Sequence, residues 1–139
     1  MRITSESDYA LRILTEMALH DKLADAKTIS DKTSVSQRFA LKILHKLVIG
    51  NIVKSQKGAR GGYKLNLPPE SITLKMVIEL IDGPIAIVKC VDSEECCTLN
   101  HDKTACVYHH IFDTISIDLA RRLEKITIAD VINKNYSFN

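Results

Sequence analysis

The sequence predicts a mostly α-helical chain with one small β-hairpin. Apolar residues recur at helical spacing near 6–20, 36–49 and 105–125. Two short strand-like segments flank a glycine-rich turn, which marks a hairpin. Serine or threonine stands just before several helical stretches, where a hydroxyl can satisfy the free N–H groups of a first turn.

The first helix is expected from about 6 to 20, with Ser5-Glu6-Ser7-Asp8 as its capping box and Tyr9, Ala10, Ile13, Leu14, Met17 and Ala18 on one face. A polar loop, 21–27, leads to a short helix over 28–32 anchored by Ile29. Thr33-Ser34-Val35 reads as a turn. Ser36 then caps a helix through about 49, with Phe39, Ala40, Ile43, Leu44 and Leu47 on one face. Gly50-Asn51 suits a left-handed stop. Segments 52–55 and 63–67 form the hairpin around Gln56–Gly62, and Pro68-Pro69 closes the unit.

The second half carries a short echo. Ile72-Thr73-Leu74 resembles Ile126-Thr127-Ile128, and each threonine can cap a helix. Between them lie a cysteine-bearing loop, 89–106, and a helix of about 105–125. Val107, Ile111, Ile115, Leu119 and Leu123, with Tyr108, Phe112 and Ala120, give that helix a wide apolar face. In so small a chain such a face calls for a partner, and the same helix of a second subunit is the natural candidate.

The 139 residues, 45% apolar and 26% charged, fit one ordinary domain or a small domain with an extension. A division into 1–70 and 71–139 is expected. No apolar run approaches the ~18 residues of a membrane helix, and the opening residues lack a signal-peptide core. A cytoplasmic chain without membrane contact is therefore expected, where cysteines serve as thiols or metal ligands rather than disulfides.

The net charge of +2 hides an asymmetry: +6 over residues 1–67 and −4 over 68–139. Within 28–64, eight lysines and arginines face only Asp31. Helix, short helix, turn, helix and a hairpin with a basic tip make a winged helix-turn-helix layout. Its partner would be double-stranded DNA. The helix capped by Ser36 would enter the major groove by its N-terminal end, with Gln37, Arg38 and Lys42 on its outer face. Gln reads adenine and Arg reads guanine through paired hydrogen bonds. Lys57 and Arg60 sit at the hairpin tip, where glycines allow close approach to phosphates.

Met1-Arg2-Ile3-Thr4-Ser5, Tyr9-Ala10, the wing Gly58-Ala59-Arg60-Gly61-Gly62-Tyr63-Lys64-Leu65 and Ile126-Thr127-Ile128-x-x-Val131 resemble the IscR/NsrR/RirA group of bacterial repressors, the Rrf-two family. The resemblance spans essentially the whole chain. It implies a dimeric winged-helix regulator with a long dimerisation helix and half-sites about 34 Å apart. It carries base contacts onto Ser36, Arg38, Phe39 and Lys42, and a minor-groove contact onto Lys57. The glutamate that tunes operator choice in some members falls on Leu41.

All four cysteines lie within 17 residues, as Cys90-x5-Cys96-Cys97-x8-Cys106-x2-His109-His110. Thiolates bind zinc and iron–sulfur clusters. On a helix, Cys106 and His109 point to one face. The spacing is not the C-x-x-C of a zinc ribbon. The family resemblance implies an iron–sulfur cluster, [2Fe–2S] ahead of [4Fe–4S], on Cys90, Cys96, Cys106 and His109. Cys97 is the alternative to Cys96. Loss of the cluster would then free the loop and shift the recognition helices. The rivals are a cluster-free thiol switch of the CymR kind and an iron–sulfur carrier or electron-transfer protein. No Ser/His/Asp set, phosphate loop or H-E-x-x-H motif suggests an enzyme.

Overall fold

Residues 3–93 and 103–136 are described by a computed structural model. Helix α1 (Ser5–His20) is capped by Thr4, whose hydroxyl accepts from the Ser7 N–H. The expected capping box on Ser5 does not form; the cap lies one residue earlier, at Thr4. The reason is tertiary: the Thr4 N–H and hydroxyl both donate to the Asp82 carboxylate, at 3.0 and 2.5 Å, and fix the helix start there.

Helix α2 (Ala26–Thr33) starts two residues earlier than expected, because Asp25 supplies the cap by accepting from the Thr28 N–H at 2.7 Å. A left-handed Ser34 turns the chain into α3 (Gln37–Ile49), capped by Ser36 as expected. Ala40, Ile43, Leu44 and Leu47 are fully buried, where α3 packs on α1 and α2. Phe39, grouped with them on one face of the helix, is not part of the core. It stands at the margin of the stripe, 50% exposed, with its ring edge against Tyr9. Asn51, at φ 58°, ends the helix in the left-handed region.

Strands β1 (Val53–Gln56) and β2 (Gly62–Leu65) pair antiparallel, with Val53 opposite Leu65 and Gln56 opposite Gly62. Tyr63 exchanges two backbone hydrogen bonds with Ala24, which pins the α1–α2 connection against the hairpin. A side chain at Gly62 would place Cβ 2.6 Å from the Ala24 carbonyl oxygen, so this approach requires glycine.

After a 3-10 turn at Pro69–Ser71, the described residues continue with α4 (Leu74–Asp82), the short α5 (Lys89–Asp92), a 3-10 turn at Lys103–Ala105, α6 (Val107–Glu124) and α7 (Ile128–Asn133). One core cluster joins Ile13, Leu14, Leu44 and Ile52 to Ile72, Val77 and Ile128. Both sides of residue 70 therefore share a core, and α1 packs on α4 and α7 as well as on α2 and α3. Each such buried Leu or Ile contributes about 1.5–3 kcal/mol of transfer free energy.

Helix α6 behaves differently. Ser116 is its one buried residue, while Val107 and Tyr108 are 68% and 72% exposed, and Ile111 and Ile115 are exposed as well. One flank of α6 packs on α4 and α5, and the stripe from Val107 to Ile115 faces outward. Among the described residues no helix is long and apolar enough to cross a membrane.

Candidate functional site

The N-terminal end of α3 is presented to solvent. Ser36, Gln37, Arg38, Leu41 and Lys42 are all exposed, while the opposite face of the helix fills the core. The Ser36 hydroxyl is directed into the helix end, accepting from the Phe39 N–H at 3.4 Å. Phe39 is held in place from α1: Tyr9 meets it edge-on with centroids 6.3 Å apart, and Arg12 lies 5.4 Å over the Tyr9 ring.

Lys42 is not a free cation. Its Nζ donates to Glu6 Oε2 at 3.1 Å, and Lys46 Nζ lies 2.7 Å from Glu6 Oε1. Lys46 lowers the Glu6 carboxyl pKa most; partial burial works against it, and Lys42 adds to the lowering. Sequence reading missed Glu6, Tyr9 and Arg12 as neighbours of the basic face. Glu6 and Lys42 are 36 residues apart, so no local spacing announces the pair.

The wing tip spans residues 57–61, and Lys57, Gly58, Ala59 and Arg60 are exposed on it. Its shape is set by two glycines. Gly58 has φ +112°, and a Cβ at Gly61 would fall 2.3 Å from the Gln56 carbonyl oxygen. Lys57 and Arg60 thus project from the hairpin tip, which lies beside the α1–α2 connection and the start of α2.

The thiol candidates divide. Cys90 lies on α5 and Cys106 at the N-cap position of α6; both are half-buried free thiols. Cys96 and Cys97 lie outside the described residues. The Ile87 N–H, just before α5, donates to Ser116 Oγ at 3.0 Å, so the approach to Cys90 is tied to the helix that Cys106 begins. His109 and His110 differ in engagement. His110 Nε2 lies 2.7 Å from the Thr104 carbonyl oxygen, a bond in which the ring N–H donates. His109 Nδ1 is buried with no hydrogen-bond partner among the described residues. A buried ring nitrogen without a partner is costly, and coordination is one way to satisfy it. Among the described residues, no group of three or more His, Cys, Asp or Glu side chains is assembled for a metal.

A three-helix unit with an exposed, capped third helix and a basic hairpin beside it is the architecture of a winged-helix transcriptional regulator. The Rrf2 family, described as an iron-dependent transcriptional regulator, matches residues 3–134, and the chain belongs to it. The regulator IscR of Aliivibrio salmonicida is 29% identical over 97% of this chain and 79% of its own. The regulator NsrR of Bacillus subtilis is 26% identical over 95% of this chain and 90% of its own. The structure of CymR, the global cysteine regulator of B. subtilis, superposes with a TM-score of 0.78 at 22% identity, covering 98% of this chain and 99% of that one. These relatives are named as transcriptional regulators.

Proposed function

We propose that the chain works as a homodimer that reads a double-stranded operator. Ser36, Gln37, Arg38, Phe39 and Lys42 of α3 would face the major groove, and Lys57 and Arg60 of the wing would face the flanking backbone or minor groove. We further propose that residues 89–106 sense iron–sulfur status, nitric oxide or oxidants. Cys90, Cys96, Cys106 and His109 would hold a cluster of the [2Fe–2S] type, with Cys97 as the alternative to Cys96.

The observation that carries the sensing reading is the contrast between the two histidines. His109 has a buried, unpartnered Nδ1 three residues after Cys106, while His110 is already bonded to Thr104. Two half-buried free thiols, Cys90 and Cys106, bracket the remaining cysteines in sequence. This donor set of soft thiolates and one imidazole fits an iron–sulfur cluster. When bound, the cluster would supply redox- and nitric-oxide-reactive chemistry at these residues.

The chain's own residues provide the route from there. Ile87 and Ser116 register the approach to α5 on α6. Residues 83–88 connect α5 back to Asp82, whose carboxylate holds Thr4 at the start of α1. Helix α1 packs directly on α3. Displacing α5 would therefore reach the groove-facing helix through one packed helix.

Anaerobic purification, an absorbance spectrum and iron and sulfide analysis test the reading. Visible absorbance with stoichiometric iron and sulfide is expected. Protein that carries neither, and cannot be reconstituted, overturns the cluster and leaves a thiol switch at Cys96 or Cys97.

A further inference from the structure

The strongest unexplained feature is the carboxylate of Glu6 on the face of α3 that bears the basic residues. Its two oxygens engage Lys42 at 3.1 Å and Lys46 at 2.7 Å. The Glu6 side chain is only 21% exposed, against 56% for Lys42. It is also held in place. Glu6 belongs to the first turn of α1, and Thr4 at the start of that turn is bound twice by Asp82. The carboxylate is thus presented to α3 from a fixed turn.

A carboxylate offers an ammonium group what a DNA phosphate offers: a pair of anionic oxygens. An ammonium already neutralised by Glu6 has less to gain from phosphate. Either the ion pair breaks, or a second anion is brought beside the first, where like charges repel. The neutralised lysine also releases fewer counterions from DNA.

We propose that Glu6 is an intramolecular competitor for DNA, occupying Lys42 in the free protein and lowering the affinity of α3 for the phosphate backbone. The inference rests on α3 being the groove-facing helix. It adds a residue that opposes binding, set within the same fold that provides the contacts.

The test uses the full chain and a labelled mixed-sequence duplex of about 30 base pairs, followed by fluorescence anisotropy over roughly 50–200 mM salt. Glu6→Gln should tighten binding about three- to tenfold at the lowest salt, the scale set by two partly exposed ion pairs. It should also steepen the dependence of log K on log salt by about one phosphate unit. Glu6→Asp, which withdraws the carboxylate by one methylene, should give an intermediate gain. Adding Lys42→Ala to Glu6→Gln should remove most of the gain. Unchanged or weaker binding by Glu6→Gln, with an unfolding midpoint like that of the parent, overturns the proposal. A gain that survives intact in the double variant overturns it too, since it would reflect net charge alone. If Arg38→Ala and Lys42→Ala leave binding unaltered in the otherwise unchanged chain, α3 is not the groove-facing helix. That separates the failure of the underlying reading from a failure of the competition.

Discussion

Thr73 and Thr127 face each other across an antiparallel bridge, and each caps the helix that begins one residue later. The Leu74 N–H donates to the Ile126 carbonyl, and the Ile128 N–H donates to the Ile72 carbonyl, both at 2.9 Å. Each Ile-Thr-apolar segment thereby gives a fully buried isoleucine to the core and a hydroxyl to a helix start. The two caps are not equal. Thr127 has a full capping box, in which Asp130 accepts from the Thr127 N–H at 2.9 Å. Thr73→Ala should therefore cost about 1 kcal/mol in urea unfolding, and Thr127→Ala closer to ~2 kcal/mol. Equal losses would show that the second bond of the Thr127 hydroxyl, donated to the Asp130 carboxylate at 2.7 Å, adds nothing.

In the proposed DNA-binding mode, direct readout would separate Arg38 and Lys42 from Lys57. Arg38→Ala and Lys42→Ala should each weaken operator binding by about 1–3 kcal/mol and relax discrimination at particular bases. The Lys42 effect should fall at the low end, because its ion pair with Glu6 already offsets part of its charge. Lys57→Ala should weaken binding with less loss of discrimination and flatten the salt dependence by about one phosphate unit. Footprinting and salt titration check this. Undiminished affinity in all three variants would remove α3 and the wing from the interface.

The elements that were legible in the sequence are those whose signal is local. Ser36 and the four-residue face Ala40, Ile43, Leu44 and Leu47 announce α3, and the glycines of 58–62 announce the turn. What was missed depends on partners far along the chain. Thr4 outcompetes Ser5 as a cap because Asp82 binds it from 78 residues away. Helix α2 is expected over 28–32; only its start at Ala26 was missed, because the stripe of Ala26, Ile29 and Thr33 is too thin to mark where it begins. Phe39 looks like core by composition, yet it lies off the axis of the buried stripe and leans on Tyr9 instead. At the site, the pattern of cysteines and histidines is visible in the sequence. The difference between His109 and His110 is not, since it depends on which ring reaches the Thr104 carbonyl.

The bond from Thr4 to Asp82 should give stability a pH dependence. Partial burial would raise the Asp82 carboxyl, but the hydrogen bonds from Thr4 outweigh it and hold the group below its ordinary value. A depressed folded-state value means the contribution is fully present above the unfolded value, near 4, and is lost as pH falls through the folded value. Asp82→Asn should cost about 1 kcal/mol at neutral pH, discounted for its exposure, and should flatten the acid limb of the stability profile. Identical acid limbs in the two proteins would show that another carboxylate sets it.

Ile115 tests the outward stripe of α6. It is 45% exposed in a single chain, so Ile115→Asp should leave the folding of one subunit nearly unaltered. In a homodimer built on this stripe, the same carboxylate would be buried without a partner, a cost of several kcal/mol. Analytical sedimentation should then show folded monomers where the parent chain shows dimers. A dimer of unchanged affinity would place the subunit contact elsewhere on the chain.

The cysteine variants separate a cluster from a thiol switch. Alanine cannot replace a thiolate ligand, so Cys90→Ala and Cys106→Ala should each abolish visible absorbance of anaerobically purified protein. Cys96 and Cys97 are neighbours whose side chains do not readily reach one small cluster together, so one should be dispensable, and the family spacing selects Cys97. His109→Ala should make the cluster labile, while His109→Cys should retain it. His110→Ala should leave the spectrum intact, because His110 is already committed to the Thr104 carbonyl. All of these variants lie outside the basic half, so each apo protein should still fold and bind mixed-sequence DNA. If His110→Ala bleaches the protein and His109→Ala does not, the fourth ligand has been assigned to the wrong ring. If only Cys96 or Cys97 matters, and only for the response to oxidant, the thiol switch replaces the cluster.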